Sequence, residues 1–214
     1  MWTKVINTIF SYRKMRKTNG KETLMAIEYE VRILNVPINK MIDHIEKMGA
    51  HRVGSFHQKR FVYDYKPAQK GRWIRLRSNG EKTTLTLKEI KSLRIDGTSE
   101  LEIVVSDFDA TNQILNKLGY TPKAFQENFR IEYRLGENVF DFDIWPGIPA
   151  YLEIEGKSEN NILNALEELE ISENSVTTKD VESIYHDVYG IALDQIEHLH
   201  FSDAELETIR KYEI

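Results

Sequence analysis

The stretch MAIEYEVRI, residues 25–33, decides the fold. Ile27, Tyr29, Val31 and Ile33 alternate with Glu28, Glu30 and Arg32, and a period of two puts successive side chains on opposite faces of a strand. One face is apolar. The other is charged throughout, unlike the Ser, Thr and Lys mixture of a solvated sheet face. The same pattern recurs over 55–65, 72–78, 83–89, 98–105, 127–135, 138–144 and 150–155, which makes eight expected strands. The charge is sorted along the chain: Arg75 and Arg77, then Thr84, Thr86 and Lys88, then Glu100 and Glu102. Arg130, Glu132 and Arg134 follow, then Asp141 and Asp143, and finally Glu153 and Glu155.

Helices are expected between and after these strands. Residues 37–48 open with Pro37, place Ile38, Met41, Ile42 and Ile45 on one face and end at Gly49. Residues 109–118 and 158–169 read likewise, and 178–190 and 203–212 are helical in pattern. The expectation is a single α+β domain over 25–214 with a helical C-terminal portion from about 158. If helices cover the apolar strand faces, the charged faces turn inward and line a barrel lumen.

The chain has 214 residues, formal net charge −5, 41% apolar and 29% charged residues, and no cysteine. That composition is globular and excludes disulfides, zinc–thiolate sites and Cys nucleophiles. No apolar run approaches the roughly 20 residues of a transmembrane helix, and a cytoplasmic location is expected. Residues 1–24 carry six basic residues against Glu22 alone. They read as a basic, poorly ordered N-terminal extension, with a membrane-surface amphipathic helix as the alternative. Phosphate-loop, dinucleotide and nucleophile-elbow motifs are absent, and no aromatic platform points to nucleic acid as the main partner. His198-x-His200 could bind a transition metal but lacks a third ligand in the sequence. Trp145-Pro146-Gly147 reads as a turn.

Each Glu-x-Glu pair presents two carboxylates side by side. For one pair alone, a solvated face with cross-strand salt bridges explains the pattern. Several pairs in one lumen repel one another and call for hard cations such as Mg²⁺, Mn²⁺ or Ca²⁺. Arg and Lys facing the same space suit a phosphate-rich anion.

In order, Glu28-x-Glu30-x-Arg32, Arg75-x-Arg77, Thr86-x-Lys88, Glu100-x-Glu102, Arg130, Asp143 and Glu153-x-Glu155 resemble the motifs of the CYTH superfamily, the triphosphate tunnel metalloenzymes. The likeness runs from about residue 25 to 200. It implies an eight-stranded antiparallel barrel with helices packed outside, acting on inorganic triphosphate or a nucleoside triphosphate with Mg²⁺ or Mn²⁺. Hydrolysis by a triphosphatase is the first expectation. A class IV adenylyl cyclase making cyclic AMP is the alternative, and a non-catalytic polyphosphate- or nucleotide-binding module is a third. The resemblance implies metal ligands among Glu28, Glu30, Glu102, Asp143, Glu153 and Glu155. It also implies a triphosphate cradle of Arg32, Arg60, Arg75, Arg77, Lys88, Arg130 and Arg134, with Arg32, Glu28 and Glu30 in the catalytic role. A homodimer is left open. Two positions depart from the pattern: Arg32 replaces the signature Lys, and Asn128 stands where the family often carries a Lys.

Overall fold

A computed structural model of the chain describes residues 15–18 and 21–213. The strands are β1 (Met15–Thr18), β2 (Lys21–Ile33), β3 (His51–Asp64), β4 (Arg72–Ser78), β5 (Thr83–Ile90), β6 (Thr98–Val105), β7 (Ala124–Leu135), β8 (Asn138–Ile144), β9 (Tyr151–Gly156) and β10 (His198–Leu199). The helices are α1 (Ile38–Lys47), α2 (Phe108–Lys117), α3 (Glu159–Glu168), α4 (Val181–Tyr189) and α5 (Asp203–Ile209). Of the expected N-terminal extension, residues 1–14 and 19–20 lie outside the described residues. β1 pairs with the first part of β2, Lys17 opposite Glu22.

Strands run β2-β6-β5-β4-β3-β7-β8-β9 and the ends meet, because β9 also pairs with β2. Each of these pairings is antiparallel. The result is a closed eight-stranded barrel, and closure removes the unpaired edges of an open sheet. Two-residue alternation now has a tertiary meaning, since one face of every strand is lumen and the other is exterior.

The exterior apolar faces supply the core. Val31, Ile131, Phe140, Phe142, Leu152 and Ile154 pack with Ile162 and Leu166 of α3 and Ile45 of α1, each burial contributing about 1.5–3 kcal/mol. A second cluster lies on the lumenal side and joins Trp145, Ile148 and Tyr151 to Ile184 and Tyr185 of α4. A third seats Phe108 and Leu115 of α2 on Tyr63 and Leu76. The helical cover stops short at the end of β6, where Ile103 is 53% exposed. Gly156 lets α3 approach β9 closely: a Cβ there would stand 2.9 Å from the Asn161 Cβ.

The helices begin where side chains cap their free amides. Asp107 accepts from Ala110 N at 2.6 Å and Asp180 from Ser183 N at 2.8 Å. Ser202 and Glu205 form a reciprocal capping box at α5. The C-terminal portion differs from expectation in two places. Residue 177 pairs in extended form with Arg32 before α4 begins at Val181, and 198–199 form the short strand β10, parallel to β7.

Candidate functional site

Ladder register places the charged residues in facing layers. Arg32 lies opposite Glu153 and Glu30 opposite Glu155. Arg130 is opposite Asp143 and Glu132 opposite Asp141. Arg60 is opposite Arg77, Arg75 opposite Thr86, and Thr86 and Lys88 opposite Glu102 and Glu100. Paired residues in a ladder share a face, so these side chains all enter the lumen. Glu28, Glu30, Arg32, Arg60, Lys88, Glu100, Asp141, Asp143 and Glu153 are buried. Arg60, and not Lys59, is the inward residue of β3.

Three carboxylates converge. One oxygen each of Glu30, Glu153 and Glu155 lie within 4.8 Å of one another. Arg32 enters the same space, its Nη2 standing 3.0 Å from Glu30 Oε2 and 2.5 Å from Glu153 Oε2. Its Nη1 donates to the Lys179 carbonyl at 3.0 Å. Burial opposes the Glu153 charge, but the guanidinium groups of Arg32 and Arg130 overcome it and hold that carboxyl well below the usual range. Glu155 goes the other way. Burial, then repulsion from Glu153 and Glu28, pushes it well up.

The other candidate metal ligands sit apart from this trio, each against a cation or a donor. Glu28 Oε2 is 2.9 Å from Lys88 Nζ. Burial dominates there and raises its pKa to about 7, with Lys88 lowering it and Glu100 raising it. Glu102 accepts from Thr86 Oγ1 at 2.8 Å. Asp143 takes Arg130 Nη2 at 2.5 Å and Asn128 Nδ2 at 2.9 Å.

The candidate cradle residues separate too. Arg130 is enclosed by Asp141, Asp143 and Glu153. Lys88 is paired with Glu28 and lies 3.5 Å from Glu100. Arg134 lies at an exposed end of β7, bonded to Glu132 at 2.8 Å, away from the others.

Arg60, Arg75 and Arg77 remain as a trio short of carboxylate. Burial first, then the charges of Arg75 and Arg77, lower the Arg60 pKa well below its ordinary value. Burial and Arg75 bring Arg77 down to about 10. Among the described residues the Nε atoms of Arg60 and Arg75 are buried without a hydrogen-bond partner, and the carboxylate paired with Arg75 there is a distant Glu102, at 3.7 Å. Asn128, at the position of the missing Lys, is fully buried. It accepts from Arg60 and donates to Asp143, a neutral link between the cationic and anionic halves.

The two halves share a cavity of about 450 Å³, lined by Glu30, Arg32, Arg60, Arg75, Lys88 and Trp145 among others. The Arg60 guanidinium carbon lies 4.5 Å from the centroid of the Trp145 ring, so Trp145 belongs to the wall as well as to a turn. Asp141, Tyr151 and Gln58 also enter the lumen and were missed as candidates. Their signal was parity: each is an even number of residues from an assigned lumenal residue on its strand.

Solved structures resemble this barrel. The PH1012 protein of Pyrococcus horikoshii OT3 is 23% identical, with TM-score 0.63 over 72% of this chain and 96% of its own. A Vibrio parahaemolyticus protein described as a "putative adenylate cyclase" is 14% identical, with TM-score 0.63 over 74% and 97%. A Bacillus halodurans protein described in the same words is 18% identical, with TM-score 0.53 over 76% and 99%. No curated protein matches the sequence. The family model for the CYTH domain matches residues 26–184, most of the chain and every lumenal motif named above, so the chain belongs to the CYTH domain family.

Proposed function

We propose that the protein is a divalent-metal-dependent triphosphatase that draws inorganic triphosphate or a nucleoside triphosphate into the barrel. One observation carries the reading: the mutually repelling Arg60, Arg75 and Arg77 and the converging Glu30, Glu153 and Glu155 carboxylates face one lumen, whose cavity is lined by Arg60 and Arg75 from the first set and Glu30 from the second. An anion with many oxygens removes the repulsion on one side. A hard cation removes it on the other.

The donor set fits Mg²⁺ or Mn²⁺, being three carboxylates with no nitrogen or sulfur ligand among them. Bound there, such an ion would polarise phosphoryl oxygens and acidify a water. Arg60, Arg75 and Arg77 bind the phosphate chain through their planar forks and stabilise charge as the terminal group leaves. Arg32 stays protonated, so it holds Glu30 and Glu153 in position and takes no proton. Arg130 and Asn128 fix Asp143 beside them. Glu28, whose Oε2 lies 2.9 Å from Lys88 Nζ, holds that ammonium in the lumen.

The Trp145 ring on the cavity wall favours a second reading, in which a base displaces the Arg60 guanidinium from that ring and the ribose hydroxyl attacks the α-phosphorus, giving cyclic AMP and pyrophosphate. Purified protein with Mg²⁺ or Mn²⁺, offered inorganic triphosphate and ATP, separates the cases. Phosphate release supports hydrolysis, and cyclic AMP supports the cyclase. Tight binding with neither product means a binding module and overturns the enzyme.

A further inference from the structure

The barrel has a seam beside the cavity. β6 begins at Thr98, opposite Glu28, so its pairing with β2 covers Ala26–Glu28 and stops there. Glu30 and Arg32 lie beyond that point, and two loop segments take up their backbone groups on this edge. The Ile95 carbonyl accepts from Glu30 N at 3.1 Å. Thr177 exchanges both backbone bonds with Arg32, at 2.7 and 2.9 Å. From there residues 177–182 run along the cavity, which Thr178, Asp180, Val181 and Glu182 help to line.

We propose that Arg32 is a positioning residue for this wall, fastening residues 177–182 to the barrel so that a bound triphosphate is held in register. The proposal rests on the triphosphatase reading for its ligand. The Arg32 Nη1 donates to the Lys179 carbonyl at 3.0 Å, while Nη2 stands 3.0 Å from Glu30 Oε2 and 2.5 Å from Glu153 Oε2. One planar fork thus serves β2, β9 and the wall at once. A lysine ammonium is a single point and does not offer two separated nitrogens, so the Arg that replaces the signature Lys gains a task of its own. Its side chain is buried, and bonds sheltered from water hold more firmly than exposed ones.

The wall is tied to α4 as well. Lys179 N donates to Thr177 Oγ1 at 3.1 Å, and Lys179 Nζ lies 2.7 Å from Asp187 Oδ2. Asp180 caps α4, whose Ile184 and Tyr185 pack with Trp145 and Tyr151. Loosening the strap therefore loosens one side of the cavity, and misplacing a bound substrate by about 1 Å can cost on the order of 100-fold.

Hydrogen exchange of the full, ligand-free chain tests the latch. Arg32→Lys keeps the charge and removes the fork, and exchange across residues 177–189 should quicken about tenfold or more. Arg75→Lys, on the other side of the lumen, should leave that exchange unchanged. Thr177→Pro removes the amide that Arg32 O accepts and leaves the Arg32 side chain with Glu30 and Glu153. It should raise KM for inorganic triphosphate, and weaken its calorimetric affinity, about tenfold while kcat stays within about twofold. Unchanged exchange in Arg32→Lys, equal quickening in Arg75→Lys, or unaltered triphosphate affinity in Thr177→Pro would each overturn the proposal. A natural chain that binds no triphosphate defeats the triphosphatase reading instead, and the ligand-free exchange still decides whether Arg32 fastens the wall.

Discussion

Replacing Arg77 by Met tests whether the lumen is built around charge awaiting an anion. Burial and the neighbouring charges of Arg75 and Arg130 bring the Arg77 pKa from 12.5 to about 10. A displacement of that size costs the charged form about 3 kcal/mol in the folded chain. The figure is an upper bound, because Arg77 is only partly buried and solvent screens it. The folded pKa lies below the unfolded one, so the penalty is fully present below about 10 and fades as pH rises from there toward 12.5. Removing the charge at neutral pH should therefore stabilise the ligand-free protein by about 2–3 kcal/mol. For a chain of this length that raises the melting midpoint by about 5–10 °C. Inorganic triphosphate at one hundred times its Kd should stabilise the natural chain by about 2.7 kcal/mol, and Arg77→Met should lose most of that gain. Urea and thermal melts with and without triphosphate read both effects. A ligand-free variant less stable than the natural chain, or one that keeps the full triphosphate shift, would refute the reasoning.

Arg130 should behave in the opposite way. It faces Asp141, Asp143 and Glu153, and Arg130→Met leaves buried carboxylates uncompensated, so stability should fall by about 3–5 kcal/mol in urea unfolding. A loss within the error of the melts would count against the ion cluster. Glu28 predicts a pH limb in metal-free buffer. Its folded pKa of about 7 lies above the ordinary value of 4.5, so the unfolded chain binds fewer protons between those values. Stability should then decline as pH rises across that window, by up to about 3 kcal/mol, and Glu28→Gln should flatten the decline.

Much of the barrel could be read directly. The eight expected strands are the eight that close the barrel, because strict alternation survives only where one face is buried in apolar contacts and the other is chemically distinct. The boundaries of β3 and β7 were less legible. β3 starts at His51, where a register shift between Arg52 and Gly54 breaks the period. β10 was invisible, since two residues cannot establish a period. The extended stretch before α4 carries no pattern of its own, because its pairing partner, Arg32, lies far away in the chain.

The candidate residues were legible as a set and not as a partition. Alternation by itself determined which side chains share a face, and hence that Glu28, Glu30, Arg32 and their counterparts belong to one lumen. Only the closed barrel decided who neutralises whom. Strand order sets β2 beside β9 and β8 beside β7, which gives Glu153 to Arg32 and Arg130. The same order leaves Arg60, Arg75 and Arg77 together on β3 and β4, with little carboxylate in reach. The physical reason is range: face parity is a property of neighbouring residues in one strand, while ion pairing falls steeply with distance and depends on register between strands remote in sequence.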